Sequence, residues 1–447
     1  MNEGTVSAEL INRMRCFVDA DWDPAIRRRT ELCLIDSISC FSAGLGLAHF
    51  KPSAVVAPSL FGTNAANDDT STLSPFLAAY LYGQAANALD YDDTLLGHPG
   101  APIIGAILAV AARERLPMDR LLRGIAAGYE AHWILASSAI PSRERAALVR
   151  SVGVWDTVAA SIGIAISFGR SSEFLERLVG VAVAHSLLPY TAKWYERPVP
   201  ALKNNLGWAA AGAVMAVGLV EAGQTGVSNA LDGASGMWRM AGSDQCDLTR
   251  TRKDQPAVAR VGFKQFPACW HLQEYLKSFS ISLQQLTDNE EIVAITVKGP
   301  AEVEKFCRRD IIVPADVAFS LPATFSLLLA GVEPGSQWDA VANHSPALRY
   351  KDRFVFDLSE ERSVTLELTS GRLITADVAV SDPTDLASFG LDEKGVLAKS
   401  ERLTPSPLRS ALDMAFTSTH GDPAQLYEAV ARMIIRTCQG KPLDHVL

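Results

Sequence analysis

The chain has 447 residues, of which 48% are hydrophobic and 20% charged, and its formal net charge at pH 7 is −9. This composition is typical of a folded protein long enough for two domains, and the negative charge disfavours nucleic-acid binding. The longest apolar run, residues 206–220, is too short to span a membrane, and the polar N-terminus has no signal-peptide core. Seven scattered cysteines without a Cys-x-x-Cys pair predict reduced thiols, a cytoplasmic location and neither a disulfide framework nor a cysteine metal site.

The first half of the chain has the apolar spacing and the Gly and Pro breaks of consecutive helices. Asp21 or Asp23 is a candidate cap for a helix that continues to Ala43. No convincing strand pattern interrupts this half, so we expect it to be all-helical. Further helices are predicted at residues 74–89, 102–115, 119–137, 156–168, 173–188 and 206–222.

After about residue 261 the pattern changes to mixed helix and strand. Alternation predicts a strand at residues 291–298, and two more at 363–369 and 373–380 that form a hairpin. Helical segments at 268–286 and 314–330 lie between them, and the chain returns to helix from residue 405. We therefore predict a mainly α protein, with a ligand site in the cleft between two domains. The predicted domains are an all-helical one, residues 1–260 with 404–447, and a smaller α+β lid, residues 261–403.

Three acids, a hydroxyl and an imidazole crowd into the segment 88–102, Ala-Leu-Asp-Tyr-Asp-Asp-Thr-Leu-Leu-Gly-His-Pro-Gly-Ala-Pro. Buried carboxylates are costly unless they are paired or used, so this segment is a candidate active site. If the preceding helix continued to Thr94, then Asp90, Asp93 and Thr94 would share one face. Asp92 would lie on the opposite face in a structural role. The alternative is that these acids only cap the helix or pair with basic groups.

Three further residues are candidates for catalysis or anion binding beside these acids. His98 lies in a constrained turn before a helix whose N-terminus suits an anion. Lys203 precedes the small-residue helix, and Lys264 precedes the helix predicted from residue 268. In both places a cation and helix amides could bind one anion together. The alternatives are a satisfied core or surface role for His98 and a solvated side chain for Lys203.

Taken together and in this order, these segments resemble the MmgE/PrpD family. The resemblance covers nearly the whole chain through residues 34–37, 88–94, 97–101, 128–130, 203–210 and 263–269. It implies a large helical domain with an α+β lid, usually dimeric, and a cofactor-free lyase or isomerase that acts on di- or tricarboxylates. It also implies an active site between the domains, with these residues at matching positions: Asp90, Thr94, His98, Lys203 and Lys264.

The sequence departs from the family pattern at three points. Arg150 or Ser151 stands where decarboxylases and dehydratases have a His ahead of the Gly/Ala-rich helix. Ala323 stands where decarboxylases have a lid Tyr. The spacing from Thr94 to His98 is also shorter than in the decarboxylase and the dehydratase.

We therefore predict a cofactor-independent and metal-independent lyase, similar to 2-methylcitrate dehydratase, that eliminates water from a small di- or tricarboxylate by general acid–base chemistry. The five residues at matching positions would be catalytic, and Arg150 and Asp93 would bind the anionic substrate. The alternatives are an epimerase or isomerase at a carbon next to a carboxylate, a decarboxylase, or a non-catalytic binding protein of the same fold. We expect a homodimer with no nucleic-acid or membrane partner.

Overall fold

The computed structural model describes residues 4–19, 21–47, 50–60, 69–150, 152–200, 204–251, 253–287, 290–339, 345–416 and 423–441. Within these ranges the protein is mainly helical, as predicted, with eighteen α-helices and six strands. The helices are α1 Val6–Met14, α2 Cys16–Asp19, α3 Pro24–Leu45, α4 Lys51–Leu60, α5 Pro75–Asn87, α6 Gly100–Glu114, α7 Met118–Ser138, α8 Arg143–Leu148, α9 Asp156–Ser167, α10 Ser172–Ala184, α11 Leu206–Glu221, α12 Met237–Met240, α13 Trp270–Leu283, α14 Ala301–Glu304, α15 Leu321–Leu329, α16 Glu393–Leu403, α17 Ser406–Phe416 and α18 Ala424–Cys438. The strands are β1 Val149–Arg150, β2 Tyr190–Thr191, β3 Ile292–Gly299, β4 Phe354–Leu358, β5 Ser363–Leu368 and β6 Leu373–Asp377.

The long helices of the first half pack around one another as a bundle. Helix α5 lies against α3, α6 and α11, and α9 lies against α6, α7 and α11. Local signals set where these helices begin. The Asp23 carboxylate accepts the Ala25 N–H at 2.8 Å, and Pro24 occupies the first turn of α3. The side chains of the candidate site lie at the ends of these helices and in the loops that connect them.

The structure corrects three details of the predicted elements. Helix α5 ends at Asn87 and does not continue towards Thr94. The helix predicted at 314–330 is two elements, because Ser320 caps α15 after a 3₁₀ turn at Pro314–Phe319. The half predicted without strands contains β1 and β2, two residues each, which pair antiparallel.

The second half forms a four-stranded sheet in the order β4-β3-β5-β6. Strand β5 pairs antiparallel with β3 and with β6, which confirms the predicted hairpin, whereas β4 is a parallel edge strand that the sequence pattern did not predict. Side chains alternate in burial along the central strands, with Ile295, Val297 and Val364 buried. Helix α13 lies against β5 and β6, and it also contacts α15.

The buried hydrophobic side chains form two clusters. The first joins the helical bundle to the C-terminal helices, and the second joins α13, α15 and the sheet. The second cluster contains residues between 266 and 378 together with Val199, so it supports the proposed lid domain. Val396 of α16 belongs to the first cluster, and α16 packs against α3, although the proposed boundary lies at residue 403.

Candidate active site

The acidic segment is a loop that connects α5 to α6. Asp90 and Leu96 both adopt a positive φ of 51°, a conformation that a right-handed helix does not contain. The Asp90 N–H instead donates to the Asn87 carbonyl at 2.9 Å, which closes a turn after the helix. The predicted helical face of Asp90, Asp93 and Thr94 is therefore wrong, and the loop sends their side chains to different partners.

Two acidic and two basic side chains meet at this loop. The Lys264 ammonium donates to both the carbonyl and the carboxylate of Asp90, the carbonyl at 2.7 Å, and it lies 4.0 Å from Asp92 Oδ1. His98 lies between the same two acids, with Nε2 at 3.7 Å from Asp90 Oδ1 and Nδ1 at 3.3 Å from Asp92 Oδ1. All four residues are buried, and His98, at 8%, has the largest exposed fraction. We call this group the acid–base cluster.

The charge of the acid–base cluster depends on the imidazole. With His98 neutral, two carboxylates and one ammonium leave a net charge of −1, and a proton on His98 brings the sum to zero. Burial lowers the pKa of Lys264, but the nearby Asp90 and Asp92 carboxylates raise it above its usual value, so Lys264 stays charged. The buried charges of the cluster therefore balance when the imidazole carries a second proton.

Asp92 is a member of the acid–base cluster, so its predicted placement away from the site is corrected. The Asn87 amide donates to both Asp92 oxygens, at 3.0 and 3.2 Å, and Asn204 donates to Asn87 Oδ1 at 2.9 Å. This chain of amides holds the carboxylate towards His98. Lys203, the residue before Asn204, lies outside the described residues.

Asp93 points away from the acid–base cluster into the helical bundle. One carboxylate oxygen accepts the Gly100 N–H at 3.1 Å, and the other accepts the Tyr129 hydroxyl. A Cβ at position 100 would lie 2.6 Å from the carboxylate, so this approach requires glycine. The N-terminus of α6, where the sequence suggested an anion, is thus occupied by Asp93 itself. Burial, with the nearby Asp36 carboxylate, raises the pKa of Asp93 to about 7.

Replacing Asp93 with Asn is expected to flatten the pH dependence of stability between about pH 4 and 7. The folded protein binds the Asp93 proton with a pKa of about 7 against an ordinary value of 3.8, so wild-type stability falls as pH rises through this window. The neutral amide has no charge to bury, and the difference between the two proteins should reach a few kcal/mol. Denaturant unfolding of both proteins between about pH 4 and 7 measures this difference. If the unfolding free energies of the two proteins change with pH in parallel, the expected titration of Asp93 is contradicted.

Thr94 uses its polar groups to shape the loop. Its hydroxyl donates to the Gly97 carbonyl at 2.7 Å, and its backbone exchanges two hydrogen bonds with Gly262, at 2.9 and 3.0 Å. A Cβ at position 262 would lie 2.6 Å from the Trp270 ring, so the close packing of this residue against Trp270 requires glycine. The bridge places Lys264, two residues further on, beside Asp90.

Arg150 does not join the acid–base cluster. It is half-buried on β1, and its guanidinium carbon lies 5.4 Å from the centre of the Tyr195 ring. Across the parts of the chain that the structure covers, it makes no ion pair with a carboxylate. Ser151, the other residue at the position of the family His, lies outside the described residues. Ala323 is fully buried in the first turn of α15.

Sequence reasoning missed a second buried lysine next to the site. The Lys399 ammonium, from α16, donates to Asp36 Oδ1 at 2.7 Å and to the carbonyls of Tyr91 and Lys264 at 2.6 and 3.4 Å. It therefore holds the backbone on both sides of the acid–base cluster. Its position was readable in principle, because Lys399 follows Val396 by three residues and so lies on the apolar face of its helix.

A buried histidine behind the loop was missed as well. His132 on α7 lies 2.7 Å from Asp156 Oδ1 through Nδ1 and 2.7 Å from the Leu95 carbonyl through Nε2. Helix α7 is buried on nearly all sides, so its sequence offers no polar face from which a special role could be read. The contact with Leu95 makes His132 part of the support of the loop.

Among the described residues, Asp90, Asp92 and His98 are the three whose ligand atoms could meet at one metal ion, since these atoms all lie within 4.8 Å of one another. Two carboxylates and an imidazole suit a divalent transition metal. The Lys264 ammonium, however, already pairs with Asp90 and lies close to Asp92. A divalent ion would bind against that charge, so these residues fit a proton-transfer group better than a metal centre.

The protein is mainly α-helical and contains a buried cluster of paired acidic and basic side chains. No helix within the described ranges combines the length and the apolarity needed to cross a membrane. Residues 18–248 match the MmgE/PrpD N-terminal domain, and this match covers just over half of the chain. The chain belongs to the MmgE/PrpD family, which includes lyases of the dehydratase type. The match contains the loop from Asp90 to His98, and Lys264 lies beyond it. No curated protein matches the sequence significantly.

Proposed function

We propose that this chain is a cofactor-independent lyase that removes water from a small di- or tricarboxylate, in the manner of 2-methylcitrate dehydratase. The observation that carries the proposal is the acid–base cluster, in which a buried imidazole lies between two carboxylates and a paired ammonium. Buried ionisable groups packed together in this way are typical of sites that transfer protons. The family relationship favours elimination as the reaction.

His98 is proposed as the group that takes the proton from the carbon next to a substrate carboxylate. The electron pair of that C–H bond forms the new double bond while the C–O bond on the neighbouring carbon breaks. The departing hydroxyl takes the proton from the His98 imidazolium and leaves as water, which returns His98 to its neutral form. The imidazolium formed at His98 is stabilised by Asp90 and Asp92, because the charge of the cluster changes from −1 to zero. Proton transfer of this kind contributes about 10²–10⁴-fold to the rate.

The proposed roles of the other candidates follow from their contacts. Lys264 is fully buried and paired with Asp90, so it is proposed to fix that carboxylate and to supply positive potential from within the cluster. Thr94 is proposed to orient the loop. Both Asp93 oxygens already accept hydrogen bonds. Asp93 is therefore proposed to affect substrate binding indirectly, by fixing the N-terminus of α6.

The cations proposed to hold the substrate carboxylates are Arg150 and Lys203. Arg150 is half-buried without a carboxylate partner in the described part of the chain, and its planar guanidinium suits bidentate binding of a carboxylate. For Lys203, the support is its neighbour in sequence, Asn204, which bonds to Asn87 of the site. These two positions are the ones to vary when substrate affinity is studied.

Proton NMR in D₂O with the purified protein and a panel of small carboxylates tests the proposal. The panel contains 2-methylcitrate, citrate, cis-aconitate, citramalate and iminodisuccinate, and the protein is first dialysed against a chelator. A new vinylic signal with loss of substrate is the expected result. Deuterium at an α-carbon without elimination would replace the lyase with an epimerase, and CO₂ release would replace it with a decarboxylase. Activity that returns only when a metal is added would contradict metal independence, and no change with any substrate would favour a binding protein.

The assembly and location of the protein belong to the same proposal. Trp208 and Met215 lie seven residues apart on α11, and both are more than two-fifths exposed, which supports burial against a second copy in a homodimer. All seven cysteines are free thiols, which supports a reducing, cytoplasmic location. Light scattering at several protein concentrations tests the dimer, and a monomer at all of them would contradict it.

A further inference from the structure

The contacts of His132 restrict the protonation state of its ring. A backbone carbonyl only accepts hydrogen bonds, so Nε2, 2.7 Å from the Leu95 carbonyl, carries a proton. Nδ1 lies 2.7 Å from a carboxylate oxygen of the fully buried Asp156, and a carboxylate that carries no proton can only accept. A ring that donates from both nitrogens is an imidazolium. The pair is then a buried salt bridge, with the positive charge directly behind the site loop.

The ionisable groups that act on this ring come from two elements, Asp156 from α9 and Asp93 from the site loop. Burial lowers the pKa of His132, but the carboxylates and the Leu95 carbonyl raise it, and the net direction is upward. Because the pKa of His132 is raised in the folded protein, the protonated ring stabilises the fold, and this contribution is complete at low pH. It is lost as pH rises through the folded-state pKa of His132.

The carbonyl that His132 holds lies at the centre of the site loop. Leu95 directly follows Thr94, and its own N–H donates to the Gly97 carbonyl at 3.2 Å. The Thr94 hydroxyl donates to the same carbonyl, and His98 is the next residue after Gly97. A shift of the Leu95 carbonyl would therefore move the turn from which His98 enters the acid–base cluster.

We propose that His132 is a positioning residue, a buried imidazolium that binds Asp156 and the Leu95 carbonyl at once and thereby sets the loop that presents His98. Its effect on the reaction rests on the proposed function, whereas its charge state does not. When the ring loses a proton, it can donate to only one of its two partners, and the Leu95 carbonyl competes with Asp156. The loop is thus held most firmly while His132 is charged.

NMR of the full-length protein with ¹⁵N-labelled histidine tests the charge state without any substrate. The chain has 8 His, and the His132 signals are assigned by their absence in the His132→Gln variant. We expect both ring nitrogens of His132 to be protonated at pH 7. A neutral tautomer at that pH would overturn the proposal, whether or not an activity has been found.

Two variants separate positioning from general stability in the activity assay. Gln places an amide near the position of Nε2 and can still donate to Leu95, whereas Asn places its amide near Nδ1 and can reach only Asp156. We expect His132→Asn to lose at least tenfold more kcat than His132→Gln, with similar melting temperatures and nearly unchanged KM values. Equal losses of kcat that follow the loss of stability would overturn the positioning role. If wild-type protein acts on no carboxylate, the proposed function fails and the NMR result still decides the state of His132.

Discussion

Replacing His98 with Asn is expected to lower kcat by roughly 10²–10⁴-fold while the melting temperature changes by only a few degrees. The imidazole lies between the two carboxylates of the acid–base cluster and is the group proposed to take the substrate proton. The Asn side chain keeps a polar group between Asp90 and Asp92 but cannot carry that proton. The assay is turnover of whichever carboxylate the NMR panel identifies, measured together with thermal unfolding.

The control for this substitution is His185→Asn. His185 bonds through Nδ1 to the Val181 carbonyl at 2.9 Å, and it lies at the end of α10, outside the cluster. Its replacement should leave kcat within a few-fold of wild type. Full activity of the His98→Asn protein would remove His98 from the mechanism and leave Asp90 as the base to test next.

Replacing Lys264 with Met is expected to reduce both stability and activity. Lys264 is fully buried, so the variant leaves the Asp90 carboxylate in the interior without its ammonium. Removing one partner of a buried ion pair costs about 3–5 kcal/mol. Activity should fall below detection, because Asp90 and His98 lose the charge that balances them. Denaturant unfolding and turnover per folded molecule are the two measurements.

A double variant separates the two effects of Lys264. Asp90→Asn combined with Lys264→Met removes both charges, so most of the stability should return while activity stays absent. Arg197→Met is the matched control, because the Arg197–Asp316 pair is equally buried but lies with the second hydrophobic cluster. It should lower stability and keep turnover per folded molecule. A Lys264→Met protein as stable as wild type would contradict the buried ion pair.

Helical periodicity predicted much of the fold because the amphipathic and apolar segments are long. Six of the helices predicted in the first half begin and end within a few residues of their predicted positions. Strand β4 was not predicted, since a five-residue edge strand has too few alternating positions to stand out. The packing of α16 against α3 was also not predicted from the sequence. It depends on contacts between residues more than 350 positions apart.

The sequence predicted which segment holds the candidate site, but it did not predict how the side chains of that segment are oriented. The crowding of acids around His98 was sufficient to find the loop, and the family pattern added Lys264. The orientation of each acid was predicted from a helix that ends before it, so Asp92 and Asp93 exchanged their expected places. One backbone conformation, the positive φ of Asp90, decides this exchange, and a non-glycine residue gives little warning of it.

The two buried lysines have a consequence for synthesis on the ribosome. The acids that they neutralise are translated first, since Asp90 precedes Lys264 by 174 residues and Asp36 precedes Lys399 by 363. A nascent chain therefore carries the anionic half of this region long before either ammonium emerges. The N-terminal helices can collapse early, as leading segments usually do, but the packing around Asp36 is completed only after α16 has left the exit tunnel. Maturation of the site is thus coupled to translation beyond α16.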